Sequence, residues 1–322
     1  GVQTCALPIW LFYEQPEVDF RDLVQKFMDI RKRAFKFPLL GKKTKFIAIP
    51  TTSGTGSEVT PFAVISDKAN NRKYPIADYS LTPTVAIVDP ALVLTVPGSV
   101  AADTGMDVLT HATEAYVSQM ASDFTDGLAL QAIKLVFENL ESSVKNADFH
   151  SREKMHNAST IAGMAFANAF LGISHSMAHK IGAQFHTIHG RTNAILLPYV
   201  IRYNGTRPAK TATWPKYNYY RADEKYQDIA RMLGLPCSTP EEAVEAYAKA
   251  VYELGERCGI EMNFKAQGID EKEWKKHSRE LAFLAYEDQC SPANPRLPMV
   301  DHMQEIIEDA YYGYKERPGR RK

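Results

Sequence analysis

Neither sign of charge is in excess in this sequence: 38 lysines and arginines stand against 38 aspartates and glutamates, interspersed along 322 residues. Such a surface has no basic footprint for nucleic acid or an anionic membrane, so neither is expected as a partner. Cysteine is scarce. Cys5, Cys237, Cys258 and Cys290 lie far apart and form no CxxC pair, which excludes a disulfide-rich framework and fits a reducing, cytoplasmic location. The longest apolar run, 161–173, is interrupted by Asn168 and is too short to span a bilayer; it reads as one buried helix. The opening GVQTCALP lacks the basic and extended apolar regions of a signal peptide.

Several motifs are also missing. There is no GxGxxG fingerprint and no P-loop ending in GK[ST], and HSMAH at 175–179 lacks the glutamate of the peptidase pattern HExxH. What remains is a chain with 45% hydrophobic residues, enough for one large or two moderate domains. Helical spacing of Phe20, Leu23, Val24, Phe27 and Met28 predicts a helix over 10–36, which Pro38 follows. Strand-like runs come next at 45–50, 62–67 and 84–89. After Pro97 the texture is helical to Tyr312. Leu128, Ala132, Ile133, Val136, Phe137 and Leu140 form one stripe, and Thr239-Pro240-Glu241-Glu242 reads as a capped helix start. The division therefore falls between an α/β part, 10–96, and a helical part, 97–322.

Three segments carry chemistry. In GMDVLTHATEAY (105–116), Asp107 and His111 are four apart on a helix, so one metal ion can bridge them, although for this pair alone a plain Asp/His hydrogen bond is the better explanation. In HSMAHKIGAQFHTIHG (175–190), His175, His179, His186 and His189 crowd a segment otherwise small and apolar. Metal binding explains this better than packing. Spacing nominates His175 and His179, with His189 or His186 in addition, and does not choose among them. One carboxylate and several imidazoles suit Fe(II), Zn(II) or a similar ion. PTTSGTGSEVT (50–60), after a strand, offers hydroxyls and close backbone approach to a nucleotide, but is weak alone.

In this order, the three segments resemble the iron-containing, group III alcohol dehydrogenases. RKYPIADYSLTP (72–83), ASTIAGMAFANAFLGISHSMAHKIGAQFHTIHG (158–190) and DQCSPANPR (288–296) narrow the resemblance to the C-terminal alcohol dehydrogenase part of the bifunctional aldehyde-alcohol dehydrogenases. The resemblance implies a partial dinucleotide-binding α/β domain followed by an all-helical metal-binding catalytic domain, in a dehydroquinate synthase-like fold. It implies metal ligation by Asp107, His111, His175 and His189, and a positioning or proton-relay role for His179 beside the nicotinamide. His186 is given no metal role. Thr51, Thr52, Thr55, Thr60 and Lys73 are the implied cofactor contacts. DQCSPANPR is read as loop structure, with Cys290 no nucleophile.

The implied reaction is reversible hydride transfer between a small primary alcohol or aldehyde, such as ethanol or acetaldehyde, and NAD(H), with Fe2+ or Zn2+ as metal. A homo-oligomer or filament is implied for the parent enzyme. The family's glycine-rich pyrophosphate turn has no counterpart in this sequence, so the expectation for these residues alone is metal binding with weak cofactor binding. GVQTCALPI can be encoded by a sequence that resembles a common short-read sequencing adapter read in frame, and residues 1–9 are accordingly expected to be foreign. A zinc-dependent polyol dehydrogenase and a non-enzymatic metal-binding or filament-forming fragment stay open as alternatives.

Overall fold

The computed structural model describes residues 3–23, 36–67, 72–208 and 220–313, with the backbone alone at 3–5, 20, 21, 64–67 and 72–75. Helix α1 (Gln3–Glu14) starts upstream of the expected position and α2 (Phe20–Leu23) follows a turn. The single helix expected over 10–36 is thus broken. Pro16 has no N–H to donate and its ring collides with the carbonyl four residues back. Residues 24–35 of that expectation lie outside the described residues. Leu7 and Leu11, 2% and 0% exposed, pack α1 into a small core with Trp10, Phe37, Ala63, Ile76 and Leu81.

The strands are β1 (Ile47–Ala48), β2 (Phe62–Asp67), β3 (Arg72–Ala77) and β4 (Val85–Ala86). β1 and β4 pair in parallel over two residues each, shorter than the runs 45–50 and 84–89 suggest, whereas β2 spans the expected 62–67. β3 is a strand the sequence reading missed. It pairs antiparallel with β2, Phe62 opposite Ala77 and Asp67 opposite Arg72. Pro75 hides it in the sequence, and a two-stranded ribbon tolerates proline because each strand keeps one free edge.

From Gly98 the chain is helical: α3 (Gly98–Val117), α4 (Asp123–Lys145), α5 (Phe149–Ala169), α6 (Ile173–Phe185), α7 (His189–Gly205), α8 (Ala222–Met232), α9 (Pro240–Arg257), α10 (Glu271–Tyr286) and α11 (Val300–Tyr312). On α4, Ala132, Ile133, Val136 and Leu140 are fully buried. The Thr239 hydroxyl caps α9 by accepting the Glu242 N–H at 3.2 Å, while the Glu242 carboxylate reaches the Ser238 N–H instead of closing a reciprocal box.

α7 joins two cores. Ala194, Leu197 and Ile201 belong to the core on the side of α3, α8 and α9, and Ile195, Leu196 and Val200 to the one on the side of α6 and α11. A helix apolar on all sides is one enclosed by neighbours.

The apolar run 161–173 forms the end of α5 and the start of α6, not one helix as expected. Phe170, in the left-handed region at φ 63°, closes α5, and the two helices meet at a bend of 105°. Among the described residues no single helix is long and apolar enough to cross a membrane.

Candidate metal centre

Three helices converge on one point. α3 supplies Asp107 and His111, α6 supplies His175 and His179, and α7 opens with His189. The close approach of α7 to α3 depends on Gly190, since a Cβ there would lie 2.2 Å from the Asp103 carbonyl oxygen and 3.2 Å from the Asp107 Cβ. Next to it, the Arg191 guanidinium grips the buried Asp103 carboxylate twice, Nε to Oδ1 at 2.8 Å and Nη2 to Oδ2 at 3.1 Å. A planar fork on a carboxylate fixes direction as well as distance. His189 is held against α3 by these neighbours.

Asp107, His175 and His189 each offer a ligand atom within 4.8 Å of the others. The Asp107 Oδ1 lies 3.7 Å from His175 Nε2 and 3.8 Å from His189 Nε2. His111 stands beside this trio. Its ring stacks on His175 at 4.6 Å between centroids and on Phe166 at 4.4 Å. Asp107, His111 and His175 are buried, whereas the His189 side chain is 44% exposed, leaving one open side.

Two buried nitrogens of this group, His111 Nδ1 and His175 Nε2, make no hydrogen bond. A buried polar atom is ordinarily satisfied, so His175 Nε2, 3.7 Å from Asp107 Oδ1 and without a hydrogen bond, has the geometry that a metal ligand would need. The donor set of one carboxylate and imidazoles accepts iron or zinc equally. Against the cost of burial, His111, His189 and His175 hold the Asp107 carboxyl below its usual range. Burial, reinforced by His111, keeps His175 well below the ordinary imidazole value and so neutral.

Residues that escaped the sequence reading hold the donors in place. The Glu114 Oε2 sits 2.5 Å from His175 Nδ1, and its Oε1 accepts the Ser174 N–H at 2.7 Å. With Nδ1 engaged, the other ring nitrogen is the one turned to the centre. Burial pushes the Glu114 carboxyl up to about 7. Asn193 Nδ2 donates to Asp107 Oδ1 at 2.8 Å and lies 3.3 Å from His189 Nε2. Glu114 lies within the segment quoted for Asp107 and His111, and Asn193 lies one helical turn after His189, the spacing at which their signal can be found.

His179 lies on the open side, its ring 5.5 Å from His189 and within 9° of parallel. Its Nδ1 is 3.2 Å from the Oδ2 of Asp288, the first residue of DQCSPANPR. The rest of that segment is structural: Asn294 and Asn204 exchange buried amide hydrogen bonds at 2.7 and 3.1 Å. Burial raises the Cys290 thiol well above its usual value, so it is not a thiolate. His186 ends α6 in the left-handed region at φ 55°, exposed and apart from the trio.

The threonine-rich loop lies on α5. Thr51 is exposed, Thr52 and Thr55 are half-buried, and Thr60 is 2% exposed. Three residues along one face of α5 grip it: His156 Nδ1 at 3.0 Å from Ser53 Oγ, Thr160 Oγ1 donating to Glu58 Oε1 at 2.6 Å, and Gly163. Gly56, at φ +57°, would carry a Cβ 2.7 Å from the Gly163 Cα, so the two backbones meet bare. Lys73 lies on β3 with its backbone opposite Ser66; its side chain is outside the described residues.

A sequence profile of the Fe-containing alcohol dehydrogenase family, C-terminal, matches residues 101–311, and one of iron-containing alcohol dehydrogenase matches residues 6–90. The chain is 96% identical over 317 residues to the aldehyde-alcohol dehydrogenase of Streptococcus pneumoniae serotype 2 (strain D39 / NCTC 7466), covering 98% of this chain and 36% of that protein. It thus spans about a third of the length of that relative, in its C-terminal alcohol dehydrogenase region. The iron-containing alcohol dehydrogenase structure from Thermococcus thioreducens superposes with a TM-score of 0.83 at 35% identity, over 97% of this chain and 75% of that one. The sulfoacetaldehyde reductase from Bifidobacterium kashiwanohense, solved in complex with NAD+, gives 0.69 at 30% identity, over 83% of this chain and 65% of that one. With both profiles matched in order along its length, the chain belongs to the iron-containing alcohol dehydrogenase family.

Proposed function

We propose that this chain is the metal-binding and substrate-handling part of an alcohol dehydrogenase that moves hydride between a small primary alcohol or aldehyde and NAD(H). The observation that carries the reading is the convergence of Asp107, His175 and His189 within 4.8 Å, with His111 stacked alongside. These four would hold a divalent ion, iron by family and zinc by the same donor chemistry. When bound, the metal supplies Lewis acidity toward the substrate oxygen and the nicotinamide takes or gives the hydride.

The chain's own residues do the rest. Glu114 and Asn193 orient the donors before any ion arrives, and the Phe166 ring covers His111 against water. Thr51, Thr52 and Thr55 present hydroxyls for the cofactor from a loop that α5 holds in shape, and we assign Lys73 to the same surface by family resemblance. Thr60 acts from beneath, being buried. His179, on the open side, takes the alcohol's proton and passes it to solvent. Similar proteins carry both nucleotides, NAD+ in the sulfoacetaldehyde reductase complex and NADPH in the butanol dehydrogenase of Clostridium saccharobutylicum, 46% identical to this chain, so NAD(H) is the proposed carrier and NADP(H) enters the same test. A reducing compartment suits Cys237, Cys258 and Cys290, all free thiols.

The test is anaerobic purification, metal analysis, and ethanol-dependent reduction of NAD+ and NADP+ side by side. About one iron or zinc per chain with turnover supports the reading. Stoichiometric metal without turnover, even after NADH titration shows binding, would turn it toward the non-enzymatic alternative.

A further inference from the structure

Asp288 is the acceptor at the centre of a closed set of donors. Its Oδ2 lies 3.2 Å from His179 Nδ1 and 2.8 Å from Lys180 Nζ, and its Oδ1 accepts the Cys290 N–H at 3.0 Å. The carboxylate is buried, its side chain 6% exposed, whereas that of His179 is 28% exposed. The ligand atoms of His179, Asp288 and Cys290 fall within 4.8 Å of one another, but this group is not a second metal site. The Lys180 ammonium already occupies the carboxylate, and the buried Cys290 thiol keeps its proton.

An ionised carboxylate can only accept. The Lys180 ammonium at 2.8 Å and the Cys290 N–H at 3.0 Å favour the ionised form of this buried carboxyl. It follows that the proton between Asp288 and His179 sits on Nδ1, and in a neutral imidazole that leaves Nε2 as the lone-pair nitrogen.

We infer that Asp288 is a positioning residue for His179: it fixes the ring as the Nδ1–H tautomer and turns it so that Nε2 is the proton acceptor on the open side of the centre. The inference rests on the proton-transfer role given to His179 above. In the alcohol-to-aldehyde direction the substrate O–H bond breaks, its proton moves to Nε2, the hydride leaves with its electron pair to NAD+, and the imidazolium returns the proton to solvent. Asp288 gains and loses nothing in the cycle. It keeps the acceptor nitrogen facing the substrate rather than the protein.

The first measurement needs no substrate or metal. Long-range 1H–15N NMR of the 15N-histidine-labelled chain, with His179 assigned by its absence in His179→Ala, reads the tautomer directly. Nδ1–H is expected in the wild type, and an Nε2–H wild type overturns the inference whether or not any variant folds. Asp288→Ala is expected to shift His179 toward Nε2–H, whereas Lys180→Met, which removes the charge and leaves the carboxylate, keeps Nδ1–H. A folded Asp288→Ala chain that retained Nδ1–H would also overturn it.

In the active enzyme, Asp288→Ala is expected to lower kcat by about tenfold to a hundredfold with little change in alcohol KM, up to the lower end of acid–base assistance, since His179 itself is retained. In the His179→Ala background the same substitution is expected to cost less than about twofold more. An undiminished effect in that background would make Asp288 a purely structural residue. If His179→Ala itself kept full kcat, the proton-transfer role of His179 would fall, while the tautomer result would stand or fall separately.

Discussion

His175 and Glu114, from different helices, meet at 2.5 Å between Nδ1 and Oε2, both side chains 2% exposed. The imidazole that would face the metal is therefore aimed from behind. Glu114→Gln puts an amide where a carboxylate oxygen was and cannot serve both His175 and the Ser174 N–H equally well. Metal affinity is expected to fall about 10–100-fold, the usual cost of losing such a partner, with far-UV circular dichroism unchanged. Competition against a chelator of known affinity measures it.

Gly190→Ala drives a methyl group toward the Asp103 carbonyl, and backbone cannot move aside as a side chain can. A loss of about 1–3 kcal/mol is expected for such overpacking, with metal content reduced because His189 shifts away from Asp107. Urea unfolding and metal analysis on the same preparation check both. Gly127→Ala, where nothing lies within 4 Å of the new Cβ, should be stable by comparison.

Gly56→Ala meets two penalties at once, a left-handed backbone and the Gly163 Cα in front of the new carbon. About 1–2 kcal/mol for the first, plus the clash, should loosen the threonine-rich loop before the helical core responds. Hydrogen exchange is expected to rise at 51–59 while α3 stays protected. Weaker NADH binding with unchanged metal content is the matching ligand readout.

Thiol chemistry separates the cysteines. Cys258 and Cys290 are buried, and burial pushes the Cys258 thiol up to about 11. Cys237 is half-buried. Iodoacetamide at neutral pH is expected to modify Cys237 in the native protein and the other two only after unfolding, as mass spectrometry of the peptides will read.

Asp148 caps α5 through hydrogen bonds from the Ser151 N–H, the Ser151 hydroxyl and the Ser142 hydroxyl, which draw its carboxyl down to about 2. A lowered folded value stabilises above the unfolded value near 4 and is lost as pH falls toward 2. Asp148→Ala should lower the melting temperature at pH 6 and flatten its dependence between pH 4 and 2.

The sequence carried the chemistry better than its supports. Four histidines in one short apolar segment are legible because imidazole has few reasons to cluster, and Asp107 is legible through its helical spacing from His111. Glu114, Asn193 and Asp288 look like ordinary polar residues. Asn193 stands one turn after His189 and Glu114 three residues after His111, a spacing that marks both, but the partners that give all three residues their role lie 61, 86 and 109 positions away. The same holds for structure. β2 is legible as a short apolar run between turns, whereas β3 hides behind Pro75 and two adjacent cations. The break after α1 was written in Pro16, but the apolar spacing on either side masked it. Within 161–173 only Gly163, Asn168 and Gly172 interrupt the apolar residues, and it is the backbone of Phe170 that reveals that two helices share the run.

Asp107, His175 and His189 come from three helices that are brought together only by folding, and this couples ion binding to the folding equilibrium itself. An extended chain offers isolated imidazoles and one carboxylate and has no comparable affinity. The ion is then a ligand of the native state, and at a free concentration a hundredfold above Kd it adds about 2.7 kcal/mol to that state. Chelation will lower the melting temperature by the same linkage.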